Sequence, residues 1–302
     1  MKRRKRTKAT NLPPTKRGVL FKTTKPLPHE SVSSWLQRFG RAHAVTPHEV
    51  LSRVCGIDEP LVDIDLELTP RETAHLAHFS HLDKKAFLLS DYLFRPLRRK
   101  IIFPPQPKNP CQWLIERPSG TKPHFAFCPD CLRDDDVPYW RVEWRFRHWL
   151  VCPAHRCWLL DRCSHCGKRP DLCNPGLVRY AKRRRSVALP ATLAQCMHCN
   201  RNLHAGEAIK PDRLEGEYYV LRQKALLSTL VNEYCILRPS TKKWPVETAV
   251  RYLRQKKLHP VDVDYRPARP AEEGKQMLLA NLRFDFQQHL RRRCAEGLGQ
   301  LE

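Results

Sequence analysis

CPDCLRDDDVPYWRVEWRFRHWLVCPAHRCWLLDRCSHC at residues 128–166, with CMHC at 196–199, decides how this chain folds. It holds four couplets of soft donors: Cys128 with Cys131, Cys152 with His155, Cys163 with Cys166, and Cys196 with Cys199. Two intervening residues let one tight turn aim both side chains at a single ion, and zinc takes four such donors in a tetrahedron. Two couplets complete one site, so four complete two. The first two couplets are 20 residues apart and the last two 29, within a 72-residue window. Sequential pairing puts Cys128, Cys131, Cys152 and His155 on one ion and Cys163, Cys166, Cys196 and Cys199 on another. A cross-braced pairing satisfies the same spacing, but the seven residues between His155 and Cys163 favour two fingers in series.

Each site has a full protein complement, which points to two structural Zn2+ ions rather than a catalytic centre with an open position. Such an ion contributes on the order of 10 kcal/mol to folding. The rival readings are disulfides or a redox CxxC. An odd count of 13 cysteines, 14 histidines and no secretory leader favour metal in a reducing compartment. Cys55, Cys111, Cys157, Cys173, Cys235 and Cys294 remain. They read as small buried side chains, with Cys157 and Cys173 near enough to serve as substitute ligands.

Between the first two couplets, Trp140, Val142, Trp144, Phe146 and His148 alternate with Arg141, Glu143, Arg145 and Arg147. A period of two predicts a strand or hairpin whose aromatic face covers the zinc-site core. Its other face would offer Arg141, Arg145 and Arg147 to a partner. Between the last two couplets lies a basic insert with Lys182, Arg183, Arg184 and Arg185, a second candidate contact for phosphate or an acidic surface.

Residues 1–25 carry Lys2, Arg3, Arg4, Lys5, Arg6, Lys8, Lys16, Arg17, Lys22 and Lys25 and no acidic residue. Such a block self-repels and reads as a disordered tail that contacts phosphate. From 26 to 95 the pattern is helical. Val32, Trp35, Leu36, Phe39 and Ala42 share one face. Thr46-Pro47-His48-Glu49 and Thr69-Pro70-Arg71-Glu72 are capping boxes with proline at the first helical position. The first opens a short second helix stopped by Gly56, a helix-turn-helix outline. The second opens a helix to about Phe79, and another is expected from Asp83 to about Leu93. This bundle suits groove reading or protein docking equally in outline, and the acidic residues between Asp58 and Glu72 favour docking. His75, His78 and His81 share helical spacing but lack a matching carboxylate or cysteine. Residues 96–123 are a proline-rich linker, 124–205 the tandem-finger region, and 206–302 a helical C-terminal region with helices expected at about 218–237, 246–258 and around Leu278–Leu290. The fold class is mainly α with small zinc-stabilised β elements.

At 302 residues with a formal net charge of +24, the chain fits a polyanionic partner, most simply nucleic acid. No apolar run is long enough to span a bilayer, so a cytoplasmic, nucleoid-associated protein is expected. No G-x-x-x-x-G-K-[ST] phosphate loop and no H-x-E deaminase signature occur. Asp134, Asp135 and Asp136 are consecutive and cannot converge on one metal. No catalytic constellation is visible.

The order C-P-x-C, Tyr-Trp-Arg with a second Trp, C-x-x-H, a leucine pair and C-x-x-C-Gly resembles the TniQ family of transposition targeting proteins. It is carried here by Cys128, Pro129, Cys131, Tyr139, Trp140, Arg141, Trp144, Cys152, His155, Leu159, Leu160, Cys163, Cys166 and Gly167. Residues 27–51 are similar to the family's helical opening through Glu30, Ser31, Ser34, Trp35 and Leu36. The resemblance covers roughly 28–200. It implies a non-catalytic adaptor of Tn7-like transposons, some of whose members act as dimers. Such an adaptor recognises attachment-site DNA or an RNA-guided CRISPR effector complex and recruits an AAA+ ATPase regulator and through it the transposase. The alternative from the residues alone is a zinc-dependent, sequence-specific DNA-binding transcription regulator.

Overall fold

The computed structural model describes residues 24–43, 45–83, 86–98, 124–170, 172, 192–237, 243–246, 248 and 263–264. The helical opening comprises α1 (Val32–His43), α2 (Pro47–Cys55), α3 (Ile64–Glu67) and α4 (Pro70–Phe79); α1, α2 and α4 lie where expected, and the one-turn α3 is an addition. Both capping boxes form. Thr46 and Thr69 accept from the amides of Glu49 and Glu72, whose carboxylates return to the cap amides, and each helix has proline in its first turn. Gly56 ends α2 in the left-handed conformation, φ 66°. The next helix, α5 (Leu88–Arg98), starts and ends about five residues later than expected and takes Pro96 into its last turn, where the missing amide leaves the helix short by one internal bond.

Two apolar cores result. The first gathers Val32, Trp35, Leu36 and Phe39 of α1 with Val50, Leu51, Leu76 and Phe87. The second gathers Leu93, Phe94 and Leu97 of α5 with Phe125, Phe127, Trp140, Trp144 and seven cysteines. It closes on α7 (Arg213–Asn232), which contributes Leu221, Leu226, Leu227 and Leu230. The short α6 (Pro129–Asp134) lies at the first cysteine couplet.

Beyond α7 the structure departs from the helical expectation. The helix stops at Asn232, with Glu233 left-handed at φ 64°. The chain then forms β1 (Tyr234–Leu237), antiparallel to both β2 (Lys243–Pro245) and β3 (Val263–Asp264), in the order β2-β1-β3. Apolar residues carried the expected helix to 237, but Tyr234 and Ile236 pair across strands instead. The helices expected from 246 to 258 and around Leu278–Leu290 lie outside the described residues save for Val246 and Thr248.

The expected strand at 139–148 is also corrected. Tyr139 to His148 contains isolated bridge positions at Arg141, which pairs with Glu30, and at Phe146, with a 3-10 turn at Val142–Arg145 between them. Two of the odd-numbered residues turn away from solvent: Glu143 is 3% exposed and Arg145 0%, while Arg147 is exposed. A period of two reports a strand only where one face is wet. Here both sets are buried from Val142 to Phe146, because distant segments supply the polar partners.

Those partners join the helical opening to the cysteine region. The Ser31 amide donates to the Trp140 carbonyl at 3.0 Å, the Val142 amide to the His29 carbonyl at 2.8 Å, and the Trp140 amide to Ser34 Oγ at 3.0 Å. Glu143 pairs with His29 and Arg145 with Asp63. Glu30 accepts from Ser34 Oγ at 2.8 Å and from Arg38 at 2.8 and 2.6 Å.

Candidate metal centres

Three of the four couplets share one backbone turn. The amide four residues after the first cysteine donates back to that cysteine's carbonyl: Arg156 to Cys152 at 2.8 Å, Gly167 to Cys163 at 2.9 Å, Asn200 to Cys196 at 2.9 Å. The first cysteine's amide donates to the carbonyl five residues on: Cys152 to Cys157 at 2.8 Å, Cys163 to Lys168 at 3.0 Å, Cys196 to Arg201 at 2.8 Å. The turn requires a left-handed residue, and Arg156, Gly167 and Asn200 have φ of 55°, 66° and 57°. Glycine and asparagine adopt this conformation most readily. The remaining couplet opens α6. Cys128 is its N-cap and accepts the Cys131 amide on Sγ at 3.4 Å, with Pro129 next.

Cys128, Cys131, Cys152 and His155 form one group and Cys163, Cys166, Cys196 and Cys199 another, with the ligand atoms of each within 4.8 Å of one another. In the first, Cys131 and Cys152 sulfurs are 3.5 Å apart, and His155 Nδ1 lies 3.5, 3.3 and 3.6 Å from Cys128, Cys131 and Cys152. In the second, Cys163 to Cys199 is 3.8 Å and Cys166 to Cys196 is 3.7 Å. Thiolates bound at about 2.3 Å on a tetrahedral ion sit about 3.8 Å apart, so both donor sets fit one ion each. The structure therefore groups the couplets in series, not cross-braced. His155 turns Nε2 to Asp134 Oδ2 at 3.2 Å, the outer carboxylate that fixes a ligand ring's orientation. Among the described residues no third group assembles: His75, His78 and His81 are exposed and outside both.

The two clusters share one core rather than standing as separate beads. Trp140, between the couplets of the first, donates Nε1 to the Leu193 carbonyl, just ahead of the last couplet, at 2.9 Å. Gln223 of α7, 1% exposed, accepts the Leu150 and Val151 amides at 2.6 and 2.7 Å and donates to the Val151 carbonyl at 2.9 Å. It keys α7 to the residues before Cys152. A lone glutamine on a leucine-rich helix face was its only sequence signal.

The arginines expected to face a partner divide. Arg147 is exposed. Arg141 is engaged inside the protein: it donates to both Asp135 oxygens at 3.1 and 3.0 Å and stacks 4.5 Å from Tyr139 and 5.1 Å from Trp144. Burial opposes its charge, but Asp135, Cys131 and Tyr139 together outweigh that and raise its pKa. Arg145 is fully buried, pairs with Asp63, donates to the His124 carbonyl at 2.8 Å and lies over Phe125. Neither offers a free basic face, because arginine burial follows from its carboxylate partners and alternation does not report those. Lys2, Arg3, Arg4, Lys5 and Arg6, like Lys182, Arg183, Arg184 and Arg185, lie outside the described residues.

Beside that pair, Asp65 accepts the Ser33 amide at 3.0 Å and Ser33 Oγ at 2.6 Å, at the start of α1. Burial and then the nearby Asp63 push its carboxyl up to about 6, against the pull of Arg145 and Ser33. No helix among the described residues is long and apolar enough to cross a membrane.

No match was found among curated proteins. The TniQ family model matches residues 22–159. That span runs from just before α1 through the whole first cluster and ends before Cys163, taking in both halves of the seam between Glu30–Ser34 and Trp140–Glu143. Over that stretch the chain carries a TniQ domain.

Proposed function

We propose that this chain is a non-catalytic target-selection adaptor in DNA transposition, held together by two structural zinc ions. It links target DNA, or an RNA-guided CRISPR effector complex, to an AAA+ ATPase regulator and the transposase. The observation that carries the reading is the family match over a span whose helical opening and first cluster are hydrogen-bonded into one body. TniQ domains act in target selection for Tn7-like transposition. Zinc is assigned from the donors: seven thiols and one imidazole, in two closed sets at tetrahedral spacing. Bound there, each ion supplies fold rather than chemistry, and Asp134 and the turn amides hold its ligands in place. The net charge of +24 supports a nucleic-acid partner.

The test is a tagged pull-down from the native host with and without nuclease, read by mass spectrometry. Nuclease-resistant recovery of an AAA+ ATPase supports the adaptor, and co-recovered CRISPR proteins identify the route. DNA alone, lost on nuclease treatment, would favour the transcription regulator.

A further inference from the structure

The three matching turns differ at one place. Five residues after the first cysteine stand Lys168 and Arg201 in two of them, both exposed, and Cys157 in the third, fully buried. The backbone puts all three in register through the same pair of hydrogen bonds. Cys157 Sγ lies 3.5 Å from Cys128 Sγ, as near as Cys131 is to Cys152 inside the first donor set. That is the spacing of two thiolates on one ion. The first group of four therefore has a fifth sulfur beside it, in contact with the Cys128 ligand and outside the mutually close set. Of the two candidates for the fourth place, His155 is half-buried with its ring edge toward Asp134, and Cys157 is wholly inside.

We propose that Cys157 is a reserve ligand of the first cluster, able to replace His155 and convert the site from three thiolates and an imidazole to four thiolates. The proposal rests on the metal reading above. The exchange breaks the metal bond to His155 Nδ1, forms one to Cys157 Sγ, and releases the Cys157 thiol proton to solvent or to the freed imidazole. Softer ions, which favour sulfur over nitrogen, would populate the second form more than zinc does.

The full chain is purified as wild type, His155→Ala, Cys157→Ser and the double variant. Bound metal is counted by elemental analysis, and the cobalt-substituted proteins are compared by thiolate-to-metal charge-transfer absorption. Wild type, His155→Ala and Cys157→Ser should each hold both ions, and the double variant should lose the first. Cobalt in His155→Ala should show one more thiolate at the first cluster than in wild type. A His155→Ala protein that is insoluble, lacks the first ion or shows no added thiolate overturns the proposal, as does a double variant that keeps both ions. A loaded wild type beside an empty His155→Ala overturns only the reserve ligand. A wild type without metal in the first cluster removes the zinc assignment itself.

Discussion

Arg145 and Arg147 are two residues apart and do opposite things. Arg145 is sealed against Asp63 and the His124 carbonyl, while Arg147 meets water. Truncating one partner of a buried ion pair strands the other charge, which costs roughly 3–5 kcal/mol. Arg145→Ala should lose about that much in denaturant unfolding, and Arg147→Ala should stay within about 0.5 kcal/mol of wild type. Equal, small losses would mean that the Arg145–Asp63 pair contributes little. Asp65 adds a pH dependence. Its folded pKa of about 6 lies above the ordinary 3.8, so the stability that it contributes is fully present below about pH 4 and is lost as pH rises through about 6. Two pKa units correspond to about 3 kcal/mol. Asn at this position keeps an acceptor for the Ser33 amide without the charge. Asp65→Asn should therefore gain on wild type by up to that amount between pH 4 and 7 in parallel urea titrations. Parallel profiles would remove Asp65 as the source.

At the scale of elements, the turn between α1 and α2 depends on Gly40. A Cβ there would meet the Val45 carbonyl oxygen at 2.4 Å, while the Gly40 carbonyl accepts the Val45 amide at 2.9 Å. The obstacle is backbone, so the two helices would have to part. Gly40→Ala should cost about 1–3 kcal/mol and lower the thermal midpoint, although alanine is the better helix former. An unchanged midpoint would show that the turn yields freely. Helices with local signals were legible: the capping threonines fixed the starts of α2 and α4, and the spacing of couplets named the donors. What was not legible depended on partners far along the chain. The alternation from Trp140 to His148 suggested a strand because nothing in that segment reveals that Glu143 meets His29 or that Arg145 meets Asp63. The end of α7 was missed for a related reason, since β1 is specified by its pairing with β2 and β3.

For the whole molecule, the charge has a consequence that the ordered arginines do not explain. With Arg141 and Arg145 engaged internally, much of the excess lies in the lysines and arginines of residues 1–25 and 182–185. Deleting residues 1–25 should weaken binding to duplex DNA and flatten the slope of log affinity against log salt, by roughly 0.9 for each phosphate that the segment would otherwise neutralise. Fluorescence anisotropy at several salt concentrations measures this. An unchanged slope would reduce the segment to a solubiliser.

The seam at Ser31–Trp140 and His29–Val142 also bears on how such a protein can be recombined. The helical opening and the first cluster are far apart in sequence, yet they share backbone hydrogen bonds like two strands of one hairpin. A chimera that takes residues 24–98 from one relative and the cluster from another keeps the main-chain bonds but puts the pairs His29–Glu143 and Asp63–Arg145 at risk unless Trp140 to Arg145 travel with them.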